Sequence, residues 1–369
     1  MDLRRDPRTV LTLDAGGTSF VFGAMRGGEA ILPPHTRPAH GADLDACLAG
    51  LVAGFQMAWE ACGGASAISF AFPGPSDYPH GVIGDLGNLT AFRGGIPLGP
   101  MLEDRFGVPV FINNDGDLFA YGEALGGLLP EVNAALAQAG SPKRYRHLFG
   151  ITLGTGFGGG LVVDGRLFLG DNAAGAEIWA LRHKLHPASF AEEGVAIRAV
   201  RRVYAEVAEL TLDQTPEPRA IFEIGMGLRP GHVGAAREAF RQLGEVAGDA
   251  LANAVTLVDA LVVVGGGLSG AAPLFLPHLV AEMNAPYASL DGRRVDRMEL
   301  RAFSLEDPED RAAFLAGDVR QLQVPGSRRT VPYDALKRTG VGLSRLGTSE
   351  ATALGAYAFA LASLDAPRP

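Results

Sequence analysis

The segment Leu11-Thr-Leu-Asp-Ala-Gly-Gly-Thr18 returns in altered form as Ile151-Thr-Leu-Gly-Thr-Gly-Phe-Gly158, with matching apolar pattern and glycine placement. Each copy begins as a β-forming run, breaks at glycines and resumes with β-formers. Ser19-Phe-Val-Phe-Gly-Ala-Met25 follows the first, and Gly160-Leu-Val-Val-Asp-Gly-Arg-Leu-Phe168 follows the second. Two glycine hairpins, each starting a half of the chain, point to a duplicated domain. The chain has 369 residues, more than one hydrophobic core usually organises, so two domains with a cleft between them are expected.

The stretch between the hairpins alternates helix and strand. Asp43 to Ala61 has helical apolar spacing, and Ala67-Ile-Ser-Phe-Ala-Phe72 reads as a buried strand ended by Pro73-Gly-Pro75. Val108-Pro-Val-Phe-Ile-Asn-Asn114 is a further strand, followed by a helix from about Gly116 to Leu125. In the second half, helical patterns cover Val195 to Leu210 and Ala235 to Leu257, and Ala260-Leu-Val-Val-Val264 is a core strand leading into Gly265-Gly-Gly267. Residues 1–117 form the expected first domain, with the alanine-rich helix 350–369 packing back on it. Residues 118–349 form the second, with surface insertions near 130–146 and 291–338.

Three glycine clusters could handle phosphate. Asp14-Ala-Gly-Gly-Thr18 sets an acid at a strand end, then Gly16 and Gly17, whose bare backbone lets amides approach an anion, then the Thr18 hydroxyl. A carboxylate there suits hydrated magnesium rather than phosphate. Within Gly154-Thr-Gly-Phe-Gly-Gly-Gly160, each glycine forfeits roughly 0.5–1 kcal/mol relative to alanine in regular structure. Gly154, Thr155 and Gly156 are therefore expected to meet something that needs close backbone approach; the alternative is a tight bulged hairpin. Gly265, Gly266 and Gly267 follow a buried strand, where a nucleotide base or ribose could lie, or where a strand merely turns into a helix. The phosphate loop ending in Gly-Lys-Ser/Thr is absent, and the segment after Gly160 reads as strand where a dinucleotide loop would open a helix.

Asn113-Asn-Asp-Gly-Asp117 lies where a strand hands over to a helix. A carboxylate at such a mouth can accept a hydroxyl proton as phosphate arrives. It can equally cap the helix.

Taken together, Asp14-Ala-Gly-Gly-Thr18, Phe72-Pro-Gly-Pro75, Gly87-Asn-Leu89, Asn114-Asp115 with Gly122-Glu123, Leu153-Gly-Thr-Gly-Phe-Gly-Gly-Gly160 and Val264-Gly-Gly-Gly-Leu-Ser269 resemble the ROK family of bacterial sugar kinases and repressors. The resemblance implies an α/β, actin-like fold of the hexokinase and ribonuclease H-like type, with an interdomain cleft. It also implies magnesium-ATP and an aldohexose or N-acetylhexosamine phosphorylated at its 6-hydroxyl. By position, Asp115 would be the base, Asn88 and Asn114 would contact the sugar, Asp14 would face the magnesium, and the glycine clusters would cradle ATP. Glu177 matches the family's sugar-binding glutamate, and Glu193, or else Glu192, stands near a second one.

The chain departs from the family at Ala180, where a histidine serving sugar and structural zinc is usual, and the cysteine cluster expected to follow is missing. Structural zinc is therefore not expected, and His183 and His186 read as surface or packing residues. The two cysteines, Cys47 and Cys62, fit a reducing compartment. The apolar run that stops at Asp14 is too short for a signal sequence, so a cytoplasmic location is expected. A net charge of −9 argues against nucleic-acid and anionic-membrane partners, and only about a dozen residues precede Asp14, leaving no expected place for a repressor's DNA-binding domain. The partners are then the sugar, ATP and, from the resemblance alone, a second copy in a homodimer. The alternative function is a catalytically weak or inactive sugar-binding regulator of the same fold.

Overall fold

The computed structural model describes residues 3–16, 18–74, 76–87 and 89–366, so Gly17 and Asn88 lie outside the described residues. The chain divides into two compact units.

The first unit runs to Gly126 and also takes in Gly165–Gly175 and the chain from Leu346 onward. Its sheet is built on β1 (Val10–Ala15), β2 (Ser19–Arg26), β3 (Ala67–Ala71) and β4 (Val110–Asn113), in the order β2-β1-β3-β4. The hairpin β1–β2 is antiparallel, whereas β1, β3 and β4 run parallel. Helix α1 (Leu44–Cys62) is capped by the Asp43 side chain, which accepts from the Ala46 amide at 3.0 Å. Its apolar face buries Cys47, Leu51 and Phe55 in a core with Phe20, Phe22, Phe70 and Phe72. The terminal helix, Thr348–Asp365, and α2 (Asp115–Gly126) share further apolar clusters with the sheet. These two helices cross at backbone contact: a Cβ on Gly122 would lie 1.9 Å from the Ala351 carbonyl oxygen, and one on Gly355 would lie 2.0 Å from that of Leu118. That crossing ties all of α2 to this unit, so the division falls after Gly126 rather than after residue 117.

The second unit spans Gly127–Asp164 and Ala176–Arg345. Its principal strands are β5 (Leu148–Leu153), β6 (Phe157–Val163), β7 (Leu261–Gly265), β8 (Arg301–Ser304) and β11 (Arg338–Leu343). They lie in the order β6-β5-β7-β11-β8, with β5–β6 antiparallel and β5, β7, β11 and β8 parallel. An antiparallel glycine hairpin extended by parallel strands thus occurs in both units, as the repeated sequence predicts. The core is dominated by helices α4 (Ile197–Ala208), α5 (Val233–Val258) and α6 (Ala272–Met283) against that sheet.

Two sequence expectations change. Residues 130–146 are not a plain surface insertion: Leu128–Gln138 is helix α3, which buries Leu128, Leu129, Val132 and Leu136. Pro130 sits in its first turn, where a missing N–H leaves no bond unmade. Asn133 then pins the following loop through two 2.9 Å hydrogen bonds to the Tyr145 backbone. Within 291–338, β8 is a strand of the main sheet and Arg338 is fully buried, paired to Asp334 at 2.7 Å. The exposed parts are residues 291–296 and the ribbon β9 (Val319–Gln323) with β10 (Thr330–Asp334).

Among the described residues no helix is long and apolar enough to cross a membrane. Cys47 and Cys62 are both free.

Candidate active site

In the first unit, Asp14, Ala71 and Asn113 are in register at the carboxyl ends of β1, β3 and β4, the edge where open α/β sheets present ligand-binding groups. Asp14 is exposed, and Ser349 at the start of the terminal helix donates its hydroxyl to Asp14 Oδ2 at 3.0 Å. Gly16 closes the turn after β1 by donating to the Ser19 carbonyl at 3.0 Å, and Thr18 is exposed beyond it.

Asp115 begins α2. Its Oδ1 accepts the Gly116 N–H at 2.8 Å, and Asn114 Oδ1 accepts the same N–H at 2.8 Å. The capping role weighed for Asp115 is therefore shared with Asn114. The Asp115 side chain keeps accessible surface, yet the protein gathered around it strips much of its hydration. That desolvation raises its pKa above the usual carboxylate range, the Asp14 charge adds to the rise, and the Gly116 hydrogen bond opposes it. Asp117, two residues on, is 6% exposed. Of the two acids in this turn, only Asp115 is open to a substrate. Glu123 is buried, with Oε1 accepting the Leu346 amide at 3.0 Å. It serves the packing of this unit.

In the second unit, β5 and β7 end side by side, with Gly265 opposite Thr152. The Leu268 N–H donates to the Leu153 carbonyl at 2.9 Å, so Gly154 and Gly267 flank a single hydrogen bond. The glycines here fall into two kinds. A Cβ on Gly266 would lie 2.4 Å from the Leu153 carbonyl oxygen, one on Gly159 would lie 2.2 Å from that of Ala176, and one on Gly156 would lie 2.9 Å from Glu192 Oε2. At those positions it is the protein itself that approaches the backbone. Gly154 and Gly267 would meet nothing within 4 Å, and neither has a positive φ. The Gly154 N–H donates to the Gly156 carbonyl at 3.0 Å and its carbonyl accepts the Ile197 N–H at 2.8 Å, but no protein atom stands over the Cα of Gly154 or Gly267, which leaves that face open to a ligand.

Glu192 and Glu193 brace this hairpin. Glu192 Oε2 accepts the Phe157 N–H at 3.0 Å, and its Oε1 pairs with Arg198 at 2.7 Å. Arg198 also donates to the Thr155 carbonyl at 3.1 Å. Glu193 pairs with Arg198 at 2.6 Å and with Arg202 at 3.2 Å, and the Arg198 contact holds its carboxyl below the usual range. Each oxygen of the Glu193 carboxylate meets an arginine, so the residue expected from sequence to contact the sugar also braces the hairpin. Glu177 is exposed, with its carboxylate bonded to the Trp179 indole N–H, and Ala180 is exposed beside it. His183 is buried and its Nδ1 accepts the amides of Leu185 and His186, both at 3.1 Å, which makes it a packing residue. Among the described residues, no three His, Cys, Asp or Glu side chains gather as a metal site.

The sequence reading missed Ser349 and Tyr78, which lie outside every motif it used. Tyr78 is buried, and its hydroxyl donates to the Phe72 carbonyl at 2.9 Å. A cavity of about 610 Å³ opens nearby, lined by Ser76, Asp77, His80 and Asp171 among others and by none of the described residues expected in the site.

The ROK family's sequence profile matches residues 10–182. N-acetyl-D-glucosamine kinase of Vibrio cholerae is 33% identical over 171 residues, which is 46% of this chain and 51% of that one; the chain thus spans about half the length of the curated relatives it matches first. The solved structure of a glucokinase from Parabacteroides distasonis is 53% identical, covers 98% of this chain and 99% of that one, and superposes with a TM-score of 0.88. A ROK family glucokinase from Streptomyces griseus, solved with glucose and AMPPNP, is 21% identical over 95% of this chain and 98% of its own, with a TM-score of 0.60, and shares the fold. The chain belongs to the ROK family.

Proposed function

We propose that this ROK family chain is an ATP-dependent sugar kinase that phosphorylates an aldohexose or N-acetylhexosamine at its 6-hydroxyl, with Asp115 as the general base. The observation that carries the reading is the contrast within one helical turn: Asp115 is open, flanked by Asn114 and raised in pKa, while Asp117 is buried. The 53% identity to a glucokinase supports glucose as the first sugar to try.

In this reading Asn114, Asn88 and Glu177 hold the sugar hydroxyls. Asp115 accepts the proton of the 6-hydroxyl as that oxygen bonds to the γ-phosphorus of ATP. The bond from the γ-phosphorus to the bridging oxygen breaks, ADP leaves with that oxygen, and the proton passes from Asp115 to solvent. The raised pKa suits a base that must ionise yet still take a proton. Gly154 and Gly267 give the nucleotide bare backbone to lie against. Asp14 offers hard carboxylate oxygen, with the Ser349 hydroxyl beside it, a donor set that suits hydrated magnesium. Magnesium held there would offset charge on the phosphates.

Incubation with magnesium-ATP and a panel of hexoses and N-acetylhexosamines should give sugar-dependent ADP release and a 6-phosphate product. Binding of a sugar without ADP release would instead favour the regulator, a reading that the exposed Ala180 in place of histidine keeps in view.

A further inference from the structure

We propose that Trp179 is a positioning residue, whose indole N–H fixes the Glu177 carboxylate for the acceptor sugar on a backbone turn set in advance at Ala176. The inference rests on the sugar-kinase reading, in which Glu177 holds sugar hydroxyls, and adds a residue to it.

Chemistry sets the direction of the contact. An indole nitrogen can only donate and an ionised carboxylate can only accept, so the Trp179 Nε1–H donates to Glu177 Oε2. One short helical turn, Ile178–Ala180, brings the two side chains together. What Trp179 leaves on the carboxylate is all of Oε1 and one lone pair of Oε2, a set of acceptors alone. That is the complement of neighbouring sugar hydroxyls, each of which brings a proton. Without the indole, an exposed glutamate would turn freely about its side-chain bonds, and a sugar would have to arrest it on binding.

The indole is itself held. Its ring stands edge-on to Phe190, with centroids 5.7 Å apart and planes at 88°. Phe190 forms a β-bridge with Arg182, and the next residue, Ala191, donates its amide to the Leu181 carbonyl at 2.7 Å. Trp179 nevertheless stays 39% exposed. A ring pinned at its N–H and against Phe190, yet left so open, hides little apolar surface and serves better to hold its partner. The backbone agrees. Ala176, just before the acid, has φ of 61°, a left-handed conformation that residues with a Cβ avoid. Its carbonyl accepts the Ile178 N–H at 2.7 Å and presses on β6, where a Cβ on Gly159 would lie 2.2 Å from it. Ile178 is buried beside the same glycine. Strain kept next to an exposed acid belongs to fixing that acid, because it costs stability where it sits.

The test combines kinetics with a direct readout of the indole. Trp179→Phe keeps an aromatic ring beside Phe190 and removes the N–H. The expected result is a rise of about fivefold in the sugar KM, the size of a charge-assisted hydrogen bond screened by water, with the ATP KM unchanged. In a Glu177→Ala background the same substitution should change nothing, because residues acting through one contact are not additive. The chain has two tryptophans, Trp59 and Trp179, so ¹⁵N labelling gives two indole signals, and that of Trp179 is identified by its loss in Trp179→Phe. In the protein without sugar, this signal should move upfield and exchange faster with solvent in Glu177→Ala. Equal effects of Trp179→Phe with and without Glu177, or matched rises in sugar and ATP KM, would overturn the positioning role. An indole signal indifferent to Glu177 would overturn the contact itself. Unaltered protein that phosphorylates no sugar would instead defeat the kinase reading, and the indole measurement, which needs no turnover, keeps the two failures apart.

Discussion

The turn after β1 and the turn after β5 occupy the same place in two like-built sheets, yet they are held in opposite ways. The first keeps a charge: Asp14 stands open at its strand end with one hydroxyl, from Ser349, against it. The second has Gly154 where the first has Asp14, and its charges have moved behind the loop, where Glu192 grips the Phe157 amide and Arg198 grips the Thr155 carbonyl. One turn keeps an exposed carboxylate and the other leaves bare backbone. The two share a scaffold and differ by a handful of side chains upon it, and the proposed division between acid chemistry and phosphate accommodation rests on those.

If the first unit carries the acid chemistry, the largest single effect should come from Asp115. Asp115→Asn keeps size and capping ability but removes the proton acceptor. Turnover should fall by roughly 10²–10⁴, with a smaller change in sugar affinity, measured as sugar-dependent ADP formation. Near-normal turnover in a folded variant would end the comparison, because buried Asp117 is poorly placed to take over.

The second unit can be broken in two ways that its glycines tell apart. Gly266 has φ of 87° and no room beside Leu153, so Gly266→Ala should lower stability by roughly 2–4 kcal/mol, read from denaturant unfolding. Gly154→Ala meets nothing within 4 Å. It should unfold like the parent while the ATP KM rises by about tenfold, the order expected when a close backbone contact is lost. Should Gly154→Ala leave ATP binding untouched, the open backbone is not a ligand surface and the contrast between the two turns fails.

What the sequence conveyed was local. Strands, glycine turns and the helix after Asn114 are written in neighbouring residues, and the duplication followed from comparing two short segments. Contacts between distant positions left no such mark. Nothing near Asp14 announces Ser349, since the pair is joined only when the first strand and the terminal helix are laid side by side. The misread regions failed for a related reason. Charge around 291–338 signals surface until Arg338 is seen buried against Asp334, and Pro130 signals a break until it falls in a first turn. Likewise, sequence shows the Glu193 carboxylate without showing that Arg198 and Arg202 pair with it.

The smallest effect expected is also the one that most directly tests how Asp115 is held. Its folded pKa lies above the usual carboxylate range, chiefly because the surrounding protein strips its hydration and then through Asp14, and these outweigh the Gly116 amide. Below the ordinary carboxylate pKa, Asp115 is protonated in both the folded and the unfolded chain, and it has no differential effect on stability. As pH rises, the unfolded chain ionises first and the folded chain must follow against its environment. The stability contribution is therefore full at low pH and is lost as pH passes through the raised folded pKa. Asparagine has no such titration. Asp115→Asn should melt with the parent protein in acid and slightly above it at neutral pH, the gap opening across the window just above the usual carboxylate range. Melting temperatures of the two proteins over a pH series would measure it. A variant that is less stable at neutral pH, or a gap that does not change with pH, would mean that Asp115 is held as comfortably as any surface acid and that the first unit stores no strain at its charged turn.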